Sequence, residues 1–277
     1  MSPAVGFDLP RLRGVLEPLP GAMVAFSGGV DSSVLLCACL EILGRSRVAA
    51  VLANSPSLAR REYREAREVA AGLRAELIEL RTREAEDPRY LENRGDRCYW
   101  CKESLFTGAG PLARARGWAL LYGENADDVA RDRPGSRSAR ERGVLAPLRE
   151  AGWTKEMVRA FARARSLPVA DKPSMPCLAS RIPVGQRVTG EALARVELLE
   201  DALRRRGYRV VRARHLSPQK VRLEFGGQDL ARAREEAHLL ARLARQAGFG
   251  QMEIDPRGYR QGRPPLLRRW NSTSQRR

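Results

Sequence analysis

Apolar and polar residues fall into ordered blocks along the first eighty positions. "AMVAF" (22–26) is an unbroken apolar run and reads as a buried strand. "VDSSVLLCACLEIL" follows, predicting a helix over 31–44 that ends at Gly44. "RVAAVLA" (47–53) and "AELIEL" (75–80) read as further strands, and "LARREYREAREVAAGLR" (58–74) between them has helical spacing with charged faces. Strand, helix, strand, helix, strand is the order of a parallel α/β sheet covered on both sides.

The pattern then predicts a helix over 98–116, a strand with a polar exit at 118–125 ("WALLYGEN"), and a helix in "TKEMVRAFARARSL" with Thr154 as its cap and Pro168 beyond its end. Residues 171–189 carry three prolines and a glycine and read as irregular. A domain boundary is expected near their end, giving domains at 1–188 and 189–262. The second reads as a small α+β unit: a helix (190–206), strands (208–216 and 220–225) and a helix (229–248). The polar, basic, proline-bearing stretch 263–277 is expected to be disordered.

Composition narrows the class. The 277 residues suit two domains, and 43% hydrophobic residues suffice for a core. No apolar run approaches the ~20 residues of a membrane span. The opening "MSPAVGFDLPRLRG" lacks the apolar centre of a signal peptide, so a soluble, cytoplasmic protein is expected, with no membrane partner. The formal net charge of +17 invites a nucleic-acid reading. Yet only four of the 50 basic residues are lysines (Lys102, Lys155, Lys172, Lys220), a bias that a GC-rich genome and anionic small-molecule ligands also explain.

"SGGVDSS" (27–33) lies between the first strand and the first helix of the sheet. Gly28 and Gly29 permit a sharp turn and a close approach to an anion, and the helix that follows begins with unpaired N–H groups. Ser27, Ser32 and Ser33 can donate to phosphate oxygens. Asp31 repels phosphate unless a cation intervenes, and Mg²⁺ is the expected one. The lysine that serves γ-phosphoryl transfer in the common phosphate loop is missing. These parts suit holding a pyrophosphate that leaves. "GENADD" (123–128) ends another strand, and ligands of open α/β sheets bind at strand C-termini. Asn125, Asp127 and Asp128 are therefore candidates for nucleotide or Mg²⁺ contacts, against the alternative of a solvated acidic turn.

Five cysteines in a cytosolic chain argue against a disulfide framework. Cys37 and Cys39 lie in an apolar helix and read as small core residues. Cys98 and Cys101 in "RCYWCK" open a helix two residues apart, and Cys177 sits in "SMPCLASRIP". Zinc, a redox dithiol and an iron–sulfur cluster all compete for them. Zinc wants four ligands and no second pair exists, His238 reads as a structural helix residue, and a dithiol leaves Cys177 unused. Three thiolates can hold three corners of a [4Fe–4S] cluster and leave one iron open, which spacing alone does not establish.

Ser-Gly-Gly-x-Asp-Ser after a first buried strand resembles the signature of the pyrophosphate-loop ATPases. The resemblance implies cleavage of ATP between the α- and β-phosphates and adenylation of a carboxyl or carbonyl oxygen. "SGGVDSS", "RCYWCK", "GENADD", "KPSMPCLASRIPVGQRVT" and "VRARH" in that order resemble, over nearly the whole chain to about residue 260, the ATP-dependent sulfur transferases that mature the nickel-pincer cofactor of lactate racemase. That family implies a pyridinium-3,5-biscarboxylate mononucleotide substrate whose adenylated carboxylates become thiocarboxylates. One form sacrifices the sulfur of a single cysteine, at the position of Cys177. The other holds a [4Fe–4S] cluster, here implying Cys98, Cys101 and Cys177 as ligands, and turns over with external sulfide. The added pair favours the cluster form. Glu124 stands where relatives would carry a smaller polar residue. The family also implies a homo-oligomer, trimer or hexamer, and a sulfide source or a downstream nickel-insertion protein as further partners.

Arg212 and Arg214 share one face of the strand 208–216, beside His215. Paired guanidinium groups suit a phosphate, although an arginine-rich chain places alternating arginines on many strands. The resemblance makes them ligands of the substrate phosphate, with Arg181 and Glu200 as further substrate contacts and Lys102 stabilising an intermediate. A cluster-dependent tRNA thiolase and a zinc-stabilised nucleic-acid-binding protein are the rival readings. No RNA-binding module or zinc-ribbon pair is recognisable, and no glutaminase domain supports an amidotransferase.

Overall fold

The computed structural model describes residues 6–128, 134–173 and 175–260, so the expected disordered stretch 263–277 lies outside the described residues. In chain order the helices are α1 (Leu9–Leu16), α2 (Val30–Leu43), α3 (Arg60–Gly72), α4 (Pro88–Glu92), α5 (Arg97–Ala115), α6 (Pro134–Glu141), α7 (Pro147–Glu150), α8 (Lys155–Ala164), α9 (Gly190–Arg205), α10 (Leu230–Glu235) and α11 (Ala237–Gln246). The strands are β1 (Ala22–Phe26), β2 (Val48–Asn54), β3 (Glu76–Arg81), β4 (Ala119–Tyr122), β5 (Val211–Ser217), β6 (Lys220–Phe225) and β7 (Gln251–Ile254).

Two compact units divide the chain: Met1–Tyr90 with Asp96–Met175, and Leu91–Gly95 with Pro176–Arg277. The break falls between Met175 and Pro176, ahead of the expected position at 188, so Cys177 goes with the second unit. The cause is local, because the Arg181 side chain that follows Cys177 is bonded to Glu200 of α9.

In the first unit β3-β2-β1-β4 form a parallel sheet, the doubly covered α/β architecture that the alternation predicts. β1 is buried at every position, as expected for a central strand of a sheet packed on both faces. α2 is buried on nearly all sides, which matches its lack of a polar face. β3, at the edge, exposes its charged positions Glu76, Glu79 and Arg81 and half-buries Leu77, Ile78 and Leu80. β1 and β4 run in register, with Ala25 opposite Tyr122, so their C-terminal exits, Ser27 and Gly123, emerge side by side.

α1 escapes the pattern because its apolar positions are few. Asp8 caps it by accepting from the Arg11 N–H at 3.0 Å, and Leu12 and Leu16 are wholly buried. The second unit is a three-stranded sheet, β5-β6-β7, antiparallel then parallel, with α9 packed on β5. Where one helix is expected over 229–248, α10 and α11 are separate. Glu236 between them leaves the helical region and accepts from Arg232 Nε at 2.8 Å and Tyr208 Oη at 3.0 Å.

Candidate functional site

The loop between β1 and α2 is closed on itself by its serines. The Ser27 N–H donates to Ser32 Oγ at 3.2 Å, the two hydroxyl oxygens lie 3.1 Å apart, and Ser32 Oγ donates to the Gly29 carbonyl at 3.1 Å. Gly28 adopts φ +69°, and a β-carbon there would come within 2.6 Å of Ala66 Cβ. Only glycine fits both the torsion and the space. Gly123 is excluded from carrying a side chain by the Ser32 nitrogen, 2.8 Å from where its β-carbon would stand. The β4 exit thus presses on the first turn of α2, which is why the strand stops at Tyr122 rather than at the expected residue 125. Ser33 Oγ is buried without a partner among the described residues.

Asp31, in the first turn of α2, is held from two sides. Asn125 Nδ2 donates to its Oδ1 at 3.1 Å, and the Lys155 ammonium donates to its Oδ2. The phosphate loop therefore has a lysine, delivered from the start of α8 rather than from its own sequence. Periodicity marks Thr154 as a cap, and its hydroxyl accepts from the Met157 N–H at 3.3 Å, but nothing in the spacing marks the neighbouring lysine as a loop residue.

The acidic turn after β4 divides its labour. Asn125 faces Asp31. Asp127 accepts the Lys155 N–H at 2.7 Å, and Asp128 accepts the Asn125 N–H at 3.3 Å. Asp127 thus also serves the start of α8. Glu124 is buried and accepts from Tyr122 Oη at 2.5 Å, from Ser136 Oγ and from Arg149 Nη1 at 2.6 Å. It is an ion-paired node rather than a group turned toward a ligand.

Cys98 and Cys101 stand one turn apart at the start of α5, Cys98 exposed and Cys101 half-buried. Trp100 between them packs: its Nε1 donates to Asp96 Oδ2 at 2.9 Å, and the Arg89 guanidinium lies 3.8 Å over its ring. Burial pushes the pKa of Lys102 down, opposed by the Cys101, Glu124 and Cys98 charges. Its Nζ sits 4.7 Å from the centre of the Tyr122 ring. Cys37 and Cys39 are buried, and desolvation pushes the Cys37 thiol up to about 12, so both are inert core residues as expected.

In the second unit Cys177 is half-buried at the start of a tight turn through Arg181. Arg181 is buried and fully engaged. Its Nε and Nη2 donate to Glu200 at 2.8 and 3.0 Å, and Nη1 donates to the Pro176 and Cys177 carbonyls at 2.6 and 3.1 Å. Burial works against the Glu200 charge, but Arg181, Arg204 and the Ala213 N–H hold its pKa low. Arg181 and Glu200 bond to each other and form a clasp that shapes the Cys177 turn. Arg214 donates to Glu224 at 3.0 Å and to the Ser180 carbonyl at 2.9 Å. Arg212 is buried, its guanidinium 4.8 Å over Tyr259, with its pKa lowered by burial and then by Arg181. His238, expected as a structural residue, is exposed on α11.

Helix-borne thiols one turn apart and a third on a polar turn are a donor set suited to an iron–sulfur centre. Among the described residues no three Cys, His, Asp or Glu side chains gather around a common point. No helix among them is long and apolar enough to cross a membrane.

A sequence model of the NAD synthase family matches residues 17–123, the stretch carrying the phosphate loop and the first cysteine pair. An uncharacterised protein of Synechocystis is 38% identical over 261 residues, 92% of this chain and 96% of its own length. The pyridinium-3,5-bisthiocarboxylic acid mononucleotide synthase of Lactiplantibacillus plantarum is 30% identical over 253 residues, 91% of each chain. An uncharacterised protein of Methanocaldococcus jannaschii is 23% identical over 239 residues, 86% of this chain and 90% of its own.

Proposed function

Since this chain belongs to the family of the pyridinium-3,5-bisthiocarboxylic acid mononucleotide synthases, we propose that it adenylates the carboxylates of a pyridinium-3,5-biscarboxylate mononucleotide and replaces an oxygen of each with sulfur. The observation that carries the reading is the Asp31–Lys155 pair on a glycine loop at the exits of β1 and β4. It offers a carboxylate for Mg²⁺ and an ammonium for the phosphates of ATP on one small surface.

Gly28, Gly29, Ser27, Ser32 and Ser33 would cradle the β- and γ-phosphates, with the N-terminus of α2 adding its N–H groups. Asp31, oriented by Asn125, would hold Mg²⁺. A substrate carboxylate oxygen attacks the α-phosphorus, the α–β phosphoanhydride bond breaks, and pyrophosphate leaves with its electron pair, its negative charge partly offset by Lys155 and by the Mg²⁺ that Asp31 would hold. The acyl adenylate now carries AMP as a good leaving group. A sulfur nucleophile attacks the acyl carbon and AMP departs, leaving the thiocarboxylate. The Lys102 ammonium would offset negative charge at that carbon.

A [4Fe–4S] cluster held by Cys98, Cys101 and Cys177 would supply the sulfide when bound. In the second unit Arg212 and Arg214 lie side by side on β5, the Arg212 guanidinium over the Tyr259 ring. Paired guanidinium groups of this kind suit the phosphate of a mononucleotide, with Arg181 and Glu200 positioning the Cys177 turn.

The test is an anaerobic incubation of the protein with ATP, Mg²⁺, the biscarboxylate mononucleotide and sulfide, followed by mass spectrometry. AMP, pyrophosphate and a product 16 mass units heavier for each oxygen replaced by sulfur are expected. ADP and phosphate in place of AMP, or an unaltered mononucleotide, would refute the reading.

A further inference from the structure

Glu124 is a buried carboxylate, next to the phosphate loop, that the proposed chemistry leaves unused. It is 4% exposed, yet it collects three donors from three places: Tyr122 Oη at the end of β4, Ser136 Oγ at the start of α6 and Arg149 Nη1 on α7, the last at 2.6 Å. A carboxylate withdrawn from water is held only where such donors replace its hydration. It therefore fixes the two helices to the strand end as firmly as the donors fix it.

Its position gives the node a consequence. On one side the next residue is Asn125, whose amide orients Asp31 of the phosphate loop. On the other side α6 lies along α5, the helix of Cys98, Cys101 and Lys102. Ser138 Oγ donates to Glu103 at 3.2 Å, Arg142 Nε donates to the same carboxylate at 3.2 Å, and the Arg137 guanidinium lies 4.7 Å over the Tyr99 ring. Gly135 of α6 stands over the Lys102 stem, 3.3 Å separating its absent β-carbon from Lys102 Cδ and Cε. Tyr122, whose hydroxyl Glu124 holds, presents its ring to the Lys102 ammonium at 4.7 Å.

We propose that Glu124 is a positioning residue for the sulfur-transfer half of the reaction: through Ser136 it ties α6, and through Arg149 α7, to the end of β4, and α6, packed on α5, so holds Lys102 and the Cys98–Cys101 turn in fixed relation to the β4 exit. The adenylation half depends on the side chains of Asp31, Asn125 and Lys155, none of which bonds to the Glu124 carboxylate, whose partners are Tyr122, Ser136 and Arg149. The inference rests on the proposed thiocarboxylate synthesis for its kinetic consequence and on the contacts alone for its structural one.

The experiment compares the anaerobically purified wild type with E124Q, which keeps length but loses charge, and E124D, which keeps charge but loses reach. In E124Q, kcat for thiocarboxylate formation is expected to fall about ten- to a hundred-fold, the scale on which small misplacements act, with KM for ATP within about twofold of wild type. E124D, one methylene short of its donors, is expected to recover part of that loss. Hydrogen exchange, which needs no substrate, is expected to accelerate in residues 97–105 and 134–141 and to stay unchanged in β1 and α2. An unchanged kcat, a rise in KM for ATP matching the fall in kcat, or faster exchange spread evenly over the first unit would overturn the proposal. If the wild type makes no thiocarboxylate, the functional reading fails while the exchange pattern still decides the role of Glu124.

Discussion

Lys155 Nζ donates to Asp31 Oδ2, across 124 residues of chain. Two groups that the sequence separates by three of the four strands of the first sheet thus meet at the mouth of one loop. Under the proposed mechanism Asp31 would hold Mg²⁺ and the Lys155 ammonium would turn toward the phosphates of ATP, where its charge is worth more.

K155M is expected to cut the rate of pyrophosphate release by about a hundred-fold, in the range of losing one oriented charge in a water-poor site. Fold and Tm should change little, because the pair is partly solvent-exposed. The release assay with ATP and the biscarboxylate substrate checks this, and a K155M protein with wild-type rates would show that the lysine only neutralises Asp31.

A G28A substitution has a different signature. The position combines φ +69° with a neighbour at 2.6 Å, so a methyl group must displace α3 or flatten the loop. Loss of ATP binding in a titration, together with a lower Tm, is the expected result. Retention of both would mean that the loop tolerates a side chain that its geometry forbids.

Cysteine replacements separate the two sources of sulfur. C98A and C101A are expected to lose iron and sulfide on analysis, to keep AMP formation, and to stop repeated turnover. Intact-mass measurement of the wild type before and after many turnovers is expected to show no change. Loss of the Cys177 sulfur from the chain after one turnover would establish sacrifice instead.

The clasp of Arg181 on Glu200 is wholly enclosed, at 2% and 0% side-chain exposure. Removing Arg181 strips the enclosed Glu200 of its bidentate partner and leaves Arg204 and the Ala213 N–H to offset its charge, so R181A is expected to destabilise the second unit by about 3 kcal/mol, the low end for a broken buried pair. R181M/E200L should lie closer to wild type. Denaturant unfolding of the two variants measures the difference, and equal losses would argue that packing rather than the uncompensated charge sets the cost.

His215 carries a pH dependence whose sign can be worked out. Burial, with the Arg195 charge, lowers its pKa from 6.5, so the folded chain resists a proton that the unfolded chain accepts. The stability it contributes is complete above about 6.5 and is lost as pH falls through the folded value. A Tm that declines from pH 7 toward pH 5 in the wild type, and declines less in H215N, is expected.

The sequence by itself determined the parallel α/β core, the position of the phosphate loop and the inert pair Cys37 and Cys39. Apolar runs, helical spacing and a glycine-rich turn are local properties, and local sterics and burial fix them. It also carried the family, because several ordered motifs survive wherever the chain folds. What only the tertiary structure decided is which side chains are spent on one another. Lys155 joins the loop because α8 begins beside the exit of β4. Asp127 also accepts from the first N–H of α8, and Glu124 is paired with Arg149 of α7. Arg181 becomes a clasp because Glu200 lies one helix away. Each outcome is a competition for a charged partner among groups far apart in the chain, and spacing along a sequence holds no information about who wins it.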